Sequence, residues 1–508
     1  MTQASITTIQ LQPRDNVVIA LRDIAAGEML ADLTAPVVSP VPRGHKMARL
    51  PICKGQDVLR YGQIIGQAKV NIEPGEHVHS HNLGMAPHLQ DYGFATLNTR
   101  LPAIKSLRTF MGYPRLDGRA GTRNYLGILT SVNCSGSVAR FIAEAAEKTG
   151  FLDEFENIDG VVPIVHGTGC GMSNRDEGYM TLLRTLSGYA QHPNFGGILL
   201  VGLGCEVMQI SNLVGNHLTR AEGTLRHMSI QDSGGTRKSI ERGLAELRSI
   251  AQIVNVFKRE AIPISKLTLG MQCGGSDGFS GITANPTLGY TSDLLVRHGG
   301  TTILSETSEV YGAEHLLTRR AATVEVGEKL IERIRWWESY TARHGGEINN
   351  NPSPGNKLGG LTTILEKSLG AIAKGGTAPL QDVYKFGEII DKNGFVFMDS
   401  PGYDPCSVTG QVASGANLIM FTTGRGSVSG YKPTPCIKLA SNSAMYARMS
   451  DDMDLNCGDI ITEGVSITKK GEELFELMIK VASGHASKSE ELGFGGVEFV
   501  PWQIGAVM

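Results

Sequence analysis

The stretch LTLGMQCGGSDGFSGITANP, residues 267–286, decides the fold. It opens with an apolar run, continues through a turn with paired glycines, and ends at Asn285-Pro286, which is typical of a helix start. We therefore predict a buried strand, a Gly-rich turn and a helix. Because ligands of open α/β sheets bind outside the carboxyl ends of the strands, the turn is a candidate site.

The same pattern recurs along the chain from Tyr125 onward. Apolar runs that suit buried strands alternate with longer helical patterns, which indicates an α/β architecture with mainly parallel sheet. Several runs end in a turn that carries a cysteine, an acid or an amide. The other runs are YLGILTSV (125–132), GVVPIVHG (160–167), GILLVGLG (197–204), TTILSE (301–306), FVFMDS (395–400) and LIMFTTG (418–424).

The N-terminal region has a different pattern. In residues 14–82, short β-prone runs alternate with turn signals such as Glu73-Pro74-Gly75, which predicts a compact all-β unit. The chain as a whole is thus predicted to be a multi-domain α/β protein. Its parts are an all-β domain (1–83), a linker (84–108), a middle α/β domain (109–264) and a C-terminal α/β domain (265–508).

Composition excludes several functional classes. A chain of 508 residues is too long to fold around one hydrophobic core, since domains average about 150 residues. A net charge of −3 argues against nucleic-acid binding, and no apolar run approaches the ~18 residues of a membrane span. With no signal peptide visible, we expect a cytoplasmic protein that uses its eight cysteines as buried thiols, catalytic groups or metal ligands.

Three Gly-rich loops carry the candidate substrate-binding side chains. Hydroxyls and amides can bind the hydroxyl groups of a polyol, and a cation can pair with a carboxylate. The alternative is that the loops are plain connectors. The candidates are Ser276 and Asn285 in 272–286, Asn351, Ser353, Asn356 and Lys357 in 349–360, and Thr423 and Arg425 in 421–430.

The segment GEHVHSHN (75–82) places His77, His79 and His81 at alternate positions. On a strand, this spacing puts three imidazoles on one face, where they could hold a metal or move protons. A solvated edge strand is the alternative. Together with His45 they form a possible active-site lid.

Four cysteines each follow a predicted strand: Cys134, Cys170, Cys205 and Cys273. A cysteine at such a position is most often a small buried hydrophobe. Four at equivalent positions also raise the alternative of a soft-metal or cluster site.

Five motifs, in their order along the chain, resemble the galactarate/altronate dehydratase family: DGRAGTRN (117–124), GLGCE (202–206), QCGGSDGFSGITANP (272–286), NPSPGNK (351–357) and TTGRG (422–426). The resemblance implies a β-clip (SAF-like) N-terminal domain, a middle domain that forms a homodimer, and a Rossmann-like C-terminal domain with a metal site. It further implies an Fe²⁺-dependent dehydratase acting on a sugar acid such as galactarate or altronate.

Dehydration of a hydroxy acid requires a base for the α-proton and an acid for the departing hydroxyl. The predicted metal ligands are Asp277, Glu306 and Cys273, and the candidate proton-transfer groups are His77, His79, His166 and Lys357. Three alternatives stay open: a sulfolactate sulfo-lyase-like enzyme, an NAD-dependent sugar-acid oxidoreductase, and a non-enzymatic sugar-acid sensor.

Overall fold

The computed structural model describes residues 7–86, 92–97, 100–104, 106, 108–214 and 220–505. The predicted linker at 84–108 therefore lies partly outside the described residues. Within the described parts, no helix is both long enough and apolar enough to cross a membrane.

The N-terminal region folds into two small antiparallel sheets, ordered β1-β2-β3-β6 and β4-β5-β7, as the turn-rich pattern predicted. The predicted histidine strand is short, because the chain turns at His79 and the Asn82 amide donates back to the His79 carbonyl. The strands are β1 (Thr8–Ile9), β2 (Val17–Ala20), β3 (Lys46–Ala48), β4 (Asp57–Arg60), β5 (Gln63–Ala68), β6 (His77–Val78) and β7 (Leu83–Gly84).

The middle region contains a four-stranded parallel sheet, ordered β11-β10-β12-β13, and a three-stranded antiparallel sheet, ordered β14-β8-β9. Gly197 lets a helix approach the sheet, since an added Cβ would lie 2.1 Å from Ile250 Cγ2. The elements are β8 (Thr109–Pro114), β9 (Ala120–Gly121), β10 (Tyr125–Thr130), α1 (Gly136–Lys148), β11 (Gly160–Ile164), α2 (Glu177–Ala190), β12 (Phe195–Gly202), α3 (Ile210–Val214), β13 (Leu225–Ser229), α4 (Thr236–Val254) and β14 (Glu260–Pro263).

The C-terminal region is built on a seven-stranded parallel sheet, ordered β17-β18-β16-β15-β19-β20-β21. Its first elements are β15 (Thr268–Cys273), α5 (Ala284–Arg297), β16 (Thr301–Leu304), α6 (His315–Thr318), α7 (Val324–Arg343), α8 (Pro354–Leu358), α9 (Ile364–Ile372), β17 (Leu380–Tyr384) and β18 (Gly394–Met398). They are followed by α10 (Asp404–Ala413), β19 (Leu418–Thr423), β20 (Cys436–Ala440), α11 (Ser443–Arg448), β21 (Leu455–Asn456), α12 (Asp459–Thr462), α13 (Ile467–Ala482) and α14 (Lys488–Glu491). The all-β region followed by α/β regions with parallel sheets confirms the predicted fold class.

The β-domain is docked on the C-terminal region through apolar and ionic contacts. Ile65 and Ala68 belong to the same apolar core as the central sheet. Fully buried beside this core, Glu366 accepts hydrogen bonds from Lys46 at 2.9 Å and Arg60 at 2.6 Å. Burial would raise the pKa of Glu366, but the two cations outweigh it and lower that pKa to about 2.

Candidate active site at the carboxyl edge of the central sheet

The strands β18, β16, β15 and β19 are neighbours in one parallel sheet, so their carboxyl ends meet at the same edge. The Gly-rich turn after β15 and the residues after β16 come together there. This is the edge at which the sequence predicted a binding site.

Three buried side chains, Cys273, Glu306 and Glu309, form the centre of the site. Cys273 Sγ lies 3.9 Å from Glu306 Oε2 and 3.6 Å from Glu309 Oε2. Their three donor atoms lie within 4.8 Å of one another, so the group could hold a metal ion. Glu306 has a left-handed φ of 71°, a conformation that non-glycine residues keep only where the surroundings impose it.

Two buried lysines neighbour these acids. Lys374 Nζ lies 2.8 Å from Cys273 Sγ and 3.5 Å from Glu306 Oε2. Lys367 donates to Glu309 Oε1 at 2.6 Å and to Asn351 Oδ1 at 2.6 Å. The Asn351 amide also donates to Glu309 Oε1 at 2.7 Å, which fixes that carboxylate between an amide and an ammonium group.

The two glutamates differ in their ionisation. Burial raises the pKa of Glu306 well above its usual value, and the charge of Glu309 raises it further. Burial acts in the same sense on Glu309, but Lys367 and Lys374 outweigh it and lower its pKa. Burial also raises the pKa of the Cys273 thiol to about 12. The site therefore combines two carboxyl groups of unequal acidity with two lysines, Lys367 and Lys374, that an anionic ligand can pair with.

Asp404, the first residue of α10, adds another carboxylate at this edge. Its Oδ1 accepts from the Gln272 amide at 3.3 Å. Burial, then the charge of Glu309, raises the pKa of Asp404 to about 6. A carboxylate with a pKa near neutrality suits proton transfer better than an ordinary aspartate does.

Three buried polar atoms at this edge have no hydrogen-bond partner among the described residues: Gln272 Oε1, Ser276 Oγ and Glu306 Oε1. Buried polar groups are nearly always paired, so unpaired ones mark positions that a ligand can fill. The free oxygen of Glu306 lies on a carboxylate that already belongs to the possible metal site.

The predicted histidines gather above the segment 351–360, which contains the short helix α8. His45 Nδ1 lies 3.0 Å from His77 Nε2, and His79 Nε2 donates to the Lys357 carbonyl at 2.9 Å. Burial lowers the pKa of His77 to about 3 and of His45 to about 4, so both imidazoles are neutral near neutral pH. The same segment links the histidines to the site, because Asn351, which precedes α8, donates to Glu309.

Asp277, predicted as a metal ligand, uses both carboxylate oxygens within its own turn and the adjacent loop. Oδ1 accepts from the Phe279 and Ser280 amides at 3.1 and 2.9 Å, and Oδ2 accepts from Asn442 at 3.0 Å. Asp277 is not part of the group formed by Cys273 and the two glutamates. Its bonding is that of a residue that shapes the loop.

The remaining predicted residues have varied surroundings. Asn356 donates to the Ser276 carbonyl and, with Ser353, caps α8. The Asn285 amide donates to the Gly370 carbonyl and its oxygen accepts from Thr422. Thr423 accepts from the Gly426 amide, and exposed Arg425 donates its backbone amide to the Gly275 carbonyl in the turn after β15. The Lys357 carbonyl accepts from His79, and His166 bonds backbone atoms of Thr130 and Thr168 in the middle region.

Four residues of the site were not predicted: Glu309, Lys367, Lys374 and Asp404. Two of them carried a usable signal. Glu309 lies three residues after Glu306, and Asp404 begins a helix soon after the apolar run FVFMDS. The sequence carried no signal for the two lysines. They lie in and just after α9, and α9 approaches the sheet edge only through a tertiary contact.

Three family profiles match the chain. They are described as "Altronate/galactarate dehydratase SAF domain" over residues 6–86, "D-galactarate dehydratase/Altronate hydrolase, second domain" over 112–255, and "D-galactarate/Altronate dehydratase, C-terminal" over 264–507. Together they cover most of the chain.

Full-length relatives agree with these profiles. The chain is 36% identical to the altronate dehydratase of Bacillus subtilis (strain 168), over 96% of this chain and 97% of that protein. It is 39% identical to the galactarate dehydratase (L-threo-forming) of Escherichia coli (strain K12), over 94% and 92%. It is 35% identical to the altronate dehydratase of the same organism, over 96% and 97%. The chain therefore belongs to the D-galactarate/altronate dehydratase family.

Proposed function

We propose that this protein is a hydro-lyase that removes water from a sugar acid, an aldarate or aldonate such as galactarate or altronate, to give a 2-keto-3-deoxy acid. The observation that carries the proposal is the buried group of a thiol, two carboxyl groups and two lysines, in a chain related over more than nine-tenths of its length to altronate and galactarate dehydratases. These relatives do not favour the sulfo-lyase, oxidoreductase or sensor alternatives.

The donor set fits a divalent metal, and we propose ferrous iron. Cys273 supplies a soft donor, Glu306 and Glu309 supply hard ones, and Glu306 Oε1 has no partner among the described residues. When bound, the metal would supply Lewis-acid stabilisation of the negative charge that develops on the substrate. Lys374 Nζ already lies 2.8 Å from Cys273 Sγ. A metal bound at Cys273 would therefore share the thiolate with the Lys374 ammonium group.

Asp404 and Lys374 are our candidates for the two proton transfers. Asp404, with its pKa raised to about 6, is ionised at neutral pH and can take the proton from C2. Lys374 is buried and charged, and it can donate a proton to the departing 3-hydroxyl. Lys367 and Asn351 then hold Glu309 in place. His77 and His79 remain the predicted alternatives for proton transfer.

The cationic groups of the site favour an acid as substrate. Lys367, Lys374 and a bound divalent metal are cations that a substrate carboxylate can pair with. This favours aldonates or aldarates over neutral sugars. The domain boundaries, the cytoplasmic location and a homodimer formed by the middle domain also remain predictions.

Anaerobic turnover with ferrous iron tests the proposal. Galactarate, altronate and glucarate are supplied separately, and the 2-keto product is detected chemically. We expect Cys273→Ser and Glu309→Gln to lose activity. Cys436→Ser, the same change at another buried thiol, should keep it. The proposal fails if no acid is turned over, or if Cys273→Ser and Glu309→Gln remain as active as the unmodified protein.

A further inference from the structure

Three exposed cysteines lie at the carboxyl edge of the other parallel sheet and take no part in the proposed active site. Cys134 follows β10, Cys170 lies in the loop after β11, and Cys205 follows β12. These three strands are neighbours, with β10 in the centre. Their loops therefore emerge side by side.

Hydrogen bonds hold the three loops against one another. The Asn133 amide donates to the Thr168 carbonyl at 2.9 Å, which joins the Cys134 and Cys170 loops. The Met208 amide donates to the Gly169 carbonyl at 3.0 Å, which joins the Cys170 and Cys205 loops. Ser131 Oγ donates to Glu206 Oε1 at 2.6 Å, which joins the Cys205 loop to the end of β10.

Glycines allow this close approach. An added Cβ at Gly169 would lie 2.2 Å from the Ser131 carbonyl oxygen, and the φ of Gly169 is +101°. Gly204, next to Cys205, has a φ of +127°. A larger residue at Gly169 could not bring the Cys170 loop this close to the end of β10, and Gly204 gives the Cys205 loop its close contact with Ser229 and Gln231.

We propose that Cys134, Cys170 and Cys205 bind a [4Fe–4S] cluster through their thiolates. Thiolates are the usual ligands of such clusters, and each thiol loses its proton as it binds iron. At least one pair of the three sulfurs is more than 4.8 Å apart. Two thiolates on one tetrahedral zinc ion are only ~3.8 Å apart. A cluster spans a larger gap than one ion.

Three protein ligands for four irons leave one iron without a cysteine. That iron is open to an oxygen ligand from a small molecule or water. This site is separate from the group around Cys273 and does not rest on the function proposed for that group.

Reconstitution of the full-length protein tests the cluster. The protein is treated anaerobically with ferrous iron, sulfide and a thiol reductant, then desalted. We expect about four acid-labile sulfide per chain and about four iron beyond the ferrous iron proposed at Cys273, with visible charge-transfer absorption. Cys134→Ser, Cys170→Ser and Cys205→Ser should each lose most of the sulfide. Cys53→Ser, at an exposed cysteine of the β-domain, and Cys273→Ser should retain it.

A footprint of the unmodified protein gives a second readout that does not depend on folding of the variants. Before reconstitution, maleimide should label all four exposed cysteines, and mass spectrometry identifies each one. After reconstitution, only Cys53 should be labelled. Absence of bound sulfide, or equal labelling of Cys134, Cys170 and Cys205 before and after reconstitution, would overturn the proposal.

Discussion

The substitution Glu366→Gln tests how the β-domain is held. Glu366 is fully buried and faces two buried cations, Lys46 and Arg60, so loss of its charge leaves both without an anion. Breaking a buried ion pair from one side costs about 3–5 kcal/mol. We take the lower end, about 3 kcal/mol, because glutamine keeps an acceptor oxygen for Lys46 or for Thr362, which also bonds Glu366.

A loss of about 3 kcal/mol raises the population of the undocked state by more than about 100-fold. Native-state hydrogen exchange of residues 356–368, the segment beneath the β-domain, reports that population. Glu28→Gln is the matched control, since Glu28 pairs with Arg22 at the surface of the same domain. It should leave exchange unchanged. If Glu366→Gln exchanges no faster than this control, the buried ions do not hold the domain.

Three further outcomes are expected. Because the pKa of Glu366 is lowered to about 2, its charge stabilises the docked β-domain fully above about pH 4.5. This stabilisation should be lost as the pH falls toward 2, and faster hydrogen exchange of residues 356–368 would report the loss. Asp404→Asn should reduce kcat by about 10²- to 10⁴-fold with unchanged thermal stability. The unmodified enzyme should lose activity below about pH 6, where Asp404 is protonated. If the Asp404→Asn variant is fully active and loses activity below the same pH, Asp404 is not the base. Treatment with a chelator should abolish turnover, and ferrous iron should restore it; full activity in metal-free protein would rule out the metal.

Much of the fold follows from local pattern. Apolar runs followed by Gly-rich turns predicted the parallel strands, and their carboxyl ends predicted where Cys273 and Glu306 would lie. These two residues meet because strands β15 and β16 are neighbours in the sheet, a contact that the alternation of strands and helices favours.

The rest of the site depends on contacts that no local pattern contains. Lys374 reaches Cys273 across 101 positions of the chain. Asp277 illustrates a different limit, since its position after a strand predicted a metal ligand. Its oxygens instead accept from the amides of Phe279 and Ser280, and a sequence does not show whether a carboxylate will bond its own turn or a metal.

The buried ions also explain how one domain can be placed accurately on another. Ile65 packs into the shared apolar core, but apolar contact alone is not directional and permits several orientations. Arg60 bonds both Glu366 and the Gly278 carbonyl, and Lys46 bonds both Glu366 and the Gly360 carbonyl, so these side chains select one orientation. Gly278 belongs to the turn after β15, and Gly360 follows α8, the short helix that begins three residues after Asn351. The same bonds that dock the β-domain therefore also hold two segments of the candidate site in position.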